Sequence, residues 1–514
     1  MARGVPVTVW GGAAALIVAA LVLGTLAAVA GFAGGLSALG PGDWLAVRFT
    51  LAQAVVSATL SVILAVPVAR ALHRRRFAGR GALITALGAP FLLPVIVAVM
   101  GIIAIFGRAG VVNDLLSMLG LPGVRIYGPQ GVILAHVFFN LPLATRLILQ
   151  GWQAIPAERL RLAAALGFAP ADSLRHLEWP MLREVLPGAW VAIFLVCLTS
   201  FVVALTLGGG PRATTVELAI YQAFRFDVDL GRAAALGLVQ VALCLVALAL
   251  AGLVSLPAAF GAGLDRGAHL PGPAGWLRVQ DAVVIALAAV FLLTPIAAVL
   301  WRGVPGLAAL PPEAWAAAGR SLAVALASSV LVLGLALPMA LAAVRPRGGW
   351  VEVAGMLPTV ASSLVLGTGL YLILRPWALP GGLALPVTVA VNAALSLPFA
   401  LRALLPEART LAADYDRLAA SLGLSGLARL RFVTLPRLAR PLGFSAGLSA
   451  AFSMGDLGVI ALFSAPGTAT LPLYLYNLMG SYRMADAAAV ASLLMILSFA
   501  LFWAFDRASR HADA

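Results

Sequence analysis

Apolar stretches of roughly 20 residues recur from one end of the chain to the other, each long enough as a helix to cross the ~30 Å hydrocarbon layer of a membrane. A water-soluble core cannot hide so many of them. Of the 514 residues, 62% are hydrophobic and 11% charged, against about half and a quarter in soluble domains. Inside lipid the backbone must satisfy its own hydrogen bonds, which leaves helices or a closed barrel. Barrel strands alternate apolar with polar residues, and these runs are uniformly apolar. The expected fold is therefore all-α and integral to the membrane, with twelve spans at about 9–33, 46–71, 82–106, 129–152, 188–208, 233–257, 279–301, 319–343, 351–374, 385–405, 443–464 and 485–505. The first run, Val9 to Phe32, is too long for the apolar region of a cleaved signal and is expected to be a permanent anchor.

Charge sets the topology. The net charge of +14 sits on basic residues that apolar spans interrupt, so no continuous basic face for nucleic acid builds up. Apart from histidine, every basic residue is arginine, and the chain has no lysine. A phosphate-binding loop of the G-x-x-x-x-G-K-[ST] type needs that lysine. ATP, if used, is therefore expected to be bound with its Mg by a partner subunit, and no cofactor is expected in this chain. With both termini in the cytoplasm, the tracts Arg74, Arg75, Arg76, Arg80 and Arg345, Arg347 lie inside, as do the loops 153–187 and 406–441, in keeping with the positive-inside rule. A multi-pass protein of a bacterial inner membrane is expected. Cys197 and Cys244 lie in apolar spans with no Cys or His at ligand spacing, so neither a disulfide nor a metal site is expected. No catalytic residues emerge either. GFSAG at 443–447 fits G-x-S-x-G but lacks the preceding strand, and no H-E-x-x-H occurs.

The chain also repeats itself. RLAAALGFAPADSLRHLEWPMLREVLPG near 160–188 returns near 416–444 as RLAASLGLSGLARLRFVTLPRLARPLG, at a constant offset of 256. The same offset pairs Leu141, Pro142 and Arg146 with Leu397, Pro398 and Arg402. Both copies lie between the fourth and fifth spans of their half, so six spans separate them and the repeat keeps one orientation, unlike an inverted repeat. The expected organisation is a six-helix unit over 1–257, a cytoplasmic linker over 258–278 and a second six-helix unit over 279–514. Each copy reads as two short helices meeting at a glycine. They open near Pro156 or Asp414, stop at Gly167 or Gly423, resume at Pro170 or Ser425, and end before Pro180 or Pro436. Such short helices are marginal alone in water. Small alanines and flanking arginines suit a docking element.

Small residues, a glycine and a proline thirteen positions on, in a cytoplasmic loop, resemble the EAA loop of binding-protein-dependent ABC importer permeases. The resemblance implies a coupling helix seated in a cleft of a separate ATPase subunit. Two ATPase copies would sit on the two loops, and one periplasmic solute-binding protein would deliver a small-molecule substrate from outside. The residues it assigns to ATPase coupling are Arg161, Ala163, Ala164, Gly167 and Pro180, with Arg417, Ala419, Ala420, Gly423 and Pro436. Where the family commonly has Glu, this chain has Arg161 and Arg417, and Leu162 and Leu418 take the first Ala place. A contact made through that glutamate does not carry over.

Stretches 205–236 and 452–490 resemble thiamine permeases in particular, while iron(III) permeases share the fused layout and remain an alternative. A proton-driven secondary transporter of twelve spans is a further alternative. Thr214 and Glu217 are expected to form a T-x-x-E capping box, and Thr470 to cap a second short helix with Pro472 in its first turn. Tyr221 and Tyr476 then take matching places on outer helices that either anchor at the interface or receive the binding protein. An ionisable group within a span points to a pathway or to packing. Asp456 falls mid-way along the eleventh span beside Ser453, Gly455 and Gly458. It either opposes the fixed positive charge of thiamine or is satisfied by an arginine or a helix end. Ser200 stands at the equivalent place in the first half, so such a site is asymmetric. Arg146 and Arg402 are expected to snorkel toward water, and His136 and Asn140, four apart, to bond between helices.

Overall fold

The computed structural model describes residues 7–88, 92–252, 275–377, 380–465 and 467–511. Its first half contains α1 (Val7–Phe32), α2 (Pro41–Arg74), α3 (Val95–Phe106), α4 (Pro129–Gln153), α5 (Ala157–Ala165), α6 (Trp179–Leu198), α7 (Val202–Leu207), α8 (Val216–Arg225) and α9 (Leu230–Gly252). The second contains α10 (Trp276–Gly303), α11 (Pro312–Ala343), α12 (Ser363–Leu374), α13 (Ala384–Ser421), α14 (Leu435–Gly455), α15 (Gly458–Phe463), α16 (Leu471–Gly480) and α17 (Met484–His511). Several of the long helices open on a proline in the first turn, where the missing N–H costs nothing. At α2 the Gly40 N–H also donates to Asp43 Oδ2 at 2.9 Å, and His73 and Arg74 occupy the last turn, where cations suit the helix dipole.

Among the described residues ten helices are long and apolar enough to span a membrane, or eleven if Gly349–Val360 and Ser363–Leu374, bent by 96°, form one span. Twelve were expected. The expected span 443–464 is the difference: α14 ends at Gly455, Asp456 takes extended backbone, and α15 adds only 6 residues. Arg437 and Arg440 and a run of serines and glycines also make α14 less apolar than its neighbours. Of the expected linker 258–278, residues 258–274 lie outside the described residues.

Helices α2, α4 and α6 pack together in the first half, and α11, α13, α14 and α17 in the second. The first helix of each half crosses over. Helix α1 packs on α11 and α12, while α10 packs on α2 and α3. Two glycines permit this. A Cβ on Gly101 of α3 would lie 2.4 Å from the Pro295 carbonyl oxygen of α10, and one on Gly369 of α12 would lie 2.6 Å from that of Thr25 in α1. In lipid, where apolar area gives little reason for helices to associate, such backbone contact supplies the packing. Polar pairs add to it. Ser57 Oγ lies 3.5 Å from His136 Nδ1, and Asn140 donates to Cys197 Sγ at 3.3 Å, so His136 and Asn140 bond between helices as expected. Cys197 and Cys244 are both buried thiols.

Candidate coupling elbows and a central break

The two repeated loops form elbows. After α5, Gly167 adopts φ +66°; its N–H donates to the Ala164 carbonyl at 3.1 Å and that of Phe168 to the Ala163 carbonyl at 3.0 Å. After α13, Gly423 adopts φ +67°, with bonds from Gly423 to Ala420 at 3.1 Å and from Leu424 to Ala419 at 2.9 Å. This paired closure satisfies the last carbonyls of a helix and requires a left-handed residue, which glycine supplies without a Cβ clash. Ala163 and Ala419 are buried, whereas Arg161, Ala164, Gly167, Pro180, Arg417, Ala420, Gly423 and Pro436 are exposed. Beside them Leu162 and Leu166 are 60% and 63% exposed, and Leu418 and Leu422 51% and 65%. Each pair is four residues apart and so shares a helix face. The alanines and glycines drew the sequence reading, but the leucines present the larger apolar surface, exposed in the same pattern on both elbows.

Two expectations about the elbows are corrected. The helices do not end before Pro180 and Pro436. The chain passes through the wide turns Leu174–Glu178 and Leu430–Thr434 straight into α6 and α14, with each proline in the first turn. A π-turn there spares the proline the bond and the clash that it would meet inside an ordinary helix. Nor does a new helix open near Asp414, since α13 runs unbroken for 38 residues through Pro406. Only the first elbow is separated from its span, at Pro156.

Ion pairs tie each elbow to a neighbour. Glu178, in the first wide turn, accepts from Arg70 Nε at 2.7 Å and Arg74 at 2.8 Å, both on α2. Arg75 pairs with Asp281 of α10 at 2.6 Å. In the second half Arg345 and Arg429 both pair with Asp416. Arg74 and Arg345, from the two arginine tracts, thus also brace the elbows.

At the centre, α6 breaks at 199–201 before α7, and α14 breaks at Asp456–Leu457 before α15. Ser200 and Asp456 occupy these equivalent breaks. Asp456 is therefore not mid-helix. Its carboxylate faces the amides of Gly458, Val459 and Ile460 at the start of α15 and the side chain of Asn392, while Oδ2 is sealed off without a partner. Ser453 Oγ, buried, bonds with Asn392 at 3.1 Å and Ser328 at 3.3 Å. Gly455 packs against Pro94 at the start of α3, and Gly458 against Ser363 at the start of α12. Discontinuous helices whose ends converge between two repeats are where transporters place their substrate.

The short helices α8 and α16 lie beside this break. Thr215, not Thr214, caps α8, its Oγ1 accepting from Leu218 N–H at 3.3 Å, while the Thr214 hydroxyl donates to the Gly210 carbonyl. Glu217 is left out of any capping box. Thr470 sits at the cap position of α16 without a cap bond. Instead both helices are pinned through their first N–H, Val216 to Thr50 Oγ1 at 2.9 Å and Leu471 to Ser321 Oγ at 2.8 Å. Glu217, Tyr221 and Thr470 are buried, Thr214 and Tyr476 partly so. The exposed groups nearby are Phe226 and Val228 after α8 and Tyr482 after α16; Val228 and Tyr482 both hold left-handed backbone. GFSAG lies within α14, where Ser445 Oγ donates to the Pro441 carbonyl at 2.7 Å, so it forms no nucleophile elbow.

No family model matches the chain. Full-length relatives do. The chain is 42% identical over 488 residues to the thiamine transport system permease protein ThiP of Salmonella typhimurium, covering 91% of this chain and 90% of that protein. Against the same-named protein of Escherichia coli it is 42% identical over 481 residues, with 90% and 89% covered, and against that of Brucella abortus 40% over 516 residues, with 97% and 95% covered. The chain belongs to the thiamine transport system permease family. An alignment spanning 97% of the chain leaves no room to omit either elbow, so the family relation takes in the whole two-elbow plan and not one half of it. Among the described residues, no three His, Cys, Asp or Glu side chains gather to hold a metal ion.

Proposed function

We propose that this chain is the membrane permease of an ATP-driven, binding-protein-dependent importer that carries thiamine, its phosphates or both inward across a bacterial inner membrane. The observation that carries this reading is the pair of glycine-closed elbows, each with exposed leucines four apart, in a chain about 40% identical to thiamine permeases along nearly its full length. Family membership ranks thiamine above iron(III). Twelve spans in two six-helix units, 1–257 and 279–514, place both elbows on one side of the membrane. The eleventh span is then the pair α14 and α15, and the ninth is the bent pair ending in α12. Both termini and both elbows face the cytoplasm, where two ATPase copies grip Leu162, Leu166, Leu418 and Leu422 together with the alanines and glycines beside them.

A periplasmic solute-binding protein docks at the opposite end, against the exposed turns after α8 and α16. Thr214 and the edge of Tyr476 lie nearer that surface than the buried Glu217, Tyr221 and Thr470. Substrate passes between the halves, by way of Asp456, Ser453 and Ser200. Nucleotide binding to the two motors favours one arrangement of the elbows over the other, and that difference in affinity drives the switch. The test is uptake of labelled thiamine into vesicles holding the assembled complex. It is expected to require ATP, the binding protein and Leu162 with Leu418. Uptake that survives ATP depletion on a proton gradient would overturn it.

A further inference from the structure

Glu217 is the most unusual group in the molecule. It is 0% exposed, and neither carboxylate oxygen has a hydrogen-bond partner. Ser362, at the start of α12, lies beside it without forming a sound bond. Helix α8 is not one of the long spans, and burial there pushes the Glu217 carboxyl up to about 8. A carboxylate kept in this condition costs stability unless something compensates it.

Its surroundings say what would. Glu217, Tyr221 and Phe224 fall at i, i+4 and i+7 on one face of α8, which packs on α12 and α15 of the other half. Tyr221 lies 5.2 Å from Phe201, in the break beside Ser200, and Phe224 lies 4.6 Å from Tyr371 of α12. Tyr371 in turn meets Phe463 of α15 at 5.8 Å. Next to Ser362, Ser363 touches Gly458, and the Asp456 Oδ1 lies 3.7 Å from where a Gly458 side chain would begin. An unpaired carboxylate, a wall of aromatic rings and a second carboxylate thus line one seam between the halves. Ring faces attract cations, and the attraction grows when water is excluded. The opposite seam lacks the acid, because Pro472 takes the matching place in α16.

We propose that Glu217, with Tyr221 and Phe201 beside it, is a binding group for an aromatic organic cation at the seam between α8 and α12, and that Asp456 is the next carboxylate on its route. This rests on the thiamine reading, since thiamine carries such a ring. It adds that the positive charge is recognised by the first half's short helix and not by Asp456 alone.

The complete complex with its ATPase and binding protein, in proteoliposomes, supplies the test. Glu217→Gln keeps shape and removes the ionisable group; it is expected to lower labelled thiamine uptake at least tenfold while the complex still assembles with a thermal midpoint near wild type. Wild type is expected to prefer thiamine over an analogue with a reduced, uncharged thiazole ring, and the variant to lose that preference. Should the variant fail to assemble, the wild-type complex still decides. Labelling of Glu217 by a hydrophobic carbodiimide, read by mass spectrometry, is expected to slow several-fold with thiamine present. Normal uptake by Glu217→Gln, or labelling indifferent to thiamine, overturns the proposal. Wild-type complex that takes up no thiamine at all strikes the underlying reading instead.

Discussion

The two elbows share a sequence and a closing glycine, yet they are built into the molecule differently. The second is the end of one continuous 38-residue helix, so a displacement at Gly423 passes directly into the body of α13. The first is a separate helix cut off at Pro156, held mainly by Glu178 between Arg70 and Arg74. One elbow is a rigid lever and the other a jointed one stayed by charge. The same asymmetry recurs at the centre, where Asp456 takes the place that Ser200 holds in the first half, and at the short helices, where Pro472 takes the place of Glu217. The repeated sequence therefore fixes where the parts are, and its differences decide what each half contributes.

The strongest way to break this comparison is at the crossed-over helices, where both halves depend on backbone contact. Gly101→Leu and Gly369→Leu each force a side chain onto a carbonyl oxygen 2.4 or 2.6 Å away. Overpacking of this kind exceeds the usual cost of about 1–3 kcal/mol, and neither variant is expected to accumulate in membranes by immunoblot. Accumulation of one alone would show that the crossing matters to one half only. Leu162→Asp and Leu418→Asp come next. Each is expected to release the ATPase from the purified complex and cut uptake by roughly a hundredfold, in proportion to about 3 kcal/mol of lost interface; retention by both variants would leave the elbows without a docking role.

The jointed and rigid elbows separate further under charge removal. Glu178→Gln leaves two arginines without their shared partner in a site where the carboxylate is only 10% exposed. Uptake is expected to fall about tenfold, since breaking a largely buried pair costs about 3–5 kcal/mol and part of it is recovered by relaxation. Asp416→Asn, with its carboxylate 24% exposed and its elbow carried by α13, is expected to lose no more than about threefold. Equal losses would mean that the continuous helix lends nothing. The smallest effect is expected at the closing glycines. Gly167→Ala and Gly423→Ala meet no atom within 4 Å, so only left-handed backbone strain of about 1–2 kcal/mol applies to each. Both should lower the thermal midpoint by a similar few degrees, and a large difference between them would reveal a packing role on one side.

Much of this plan was legible in the residues. Uniform apolar runs dictated helices in lipid, and the matched Gly167 and Gly423 announced left-handed closures because no other residue adopts that backbone without cost. The polar pairs of His136 and Asn140 followed from their spacing. What misled was local punctuation. Pro180 and Pro436 read as stops and Asp414 as a start, but wide turns absorbed the prolines and α13 ran through Asp414, since the hydrogen bonds of neighbouring turns are settled by the path of the whole chain. Thr214 lost the cap of α8 to Thr215 by one residue, because Thr50 on another helix fixes where the first turn begins.

Sequence alone determined the solvent, the helical class, the repeat and its elbows, since each follows from the local chemistry of side chains and backbone. Only the tertiary structure decided that the first helices cross over, that Asp456 stands in a break, and that Glu217 is buried beside Ser362 of the other half. Those depend on contacts between residues more than a hundred positions apart, and no periodicity within a single segment encodes which distant surface will cover it.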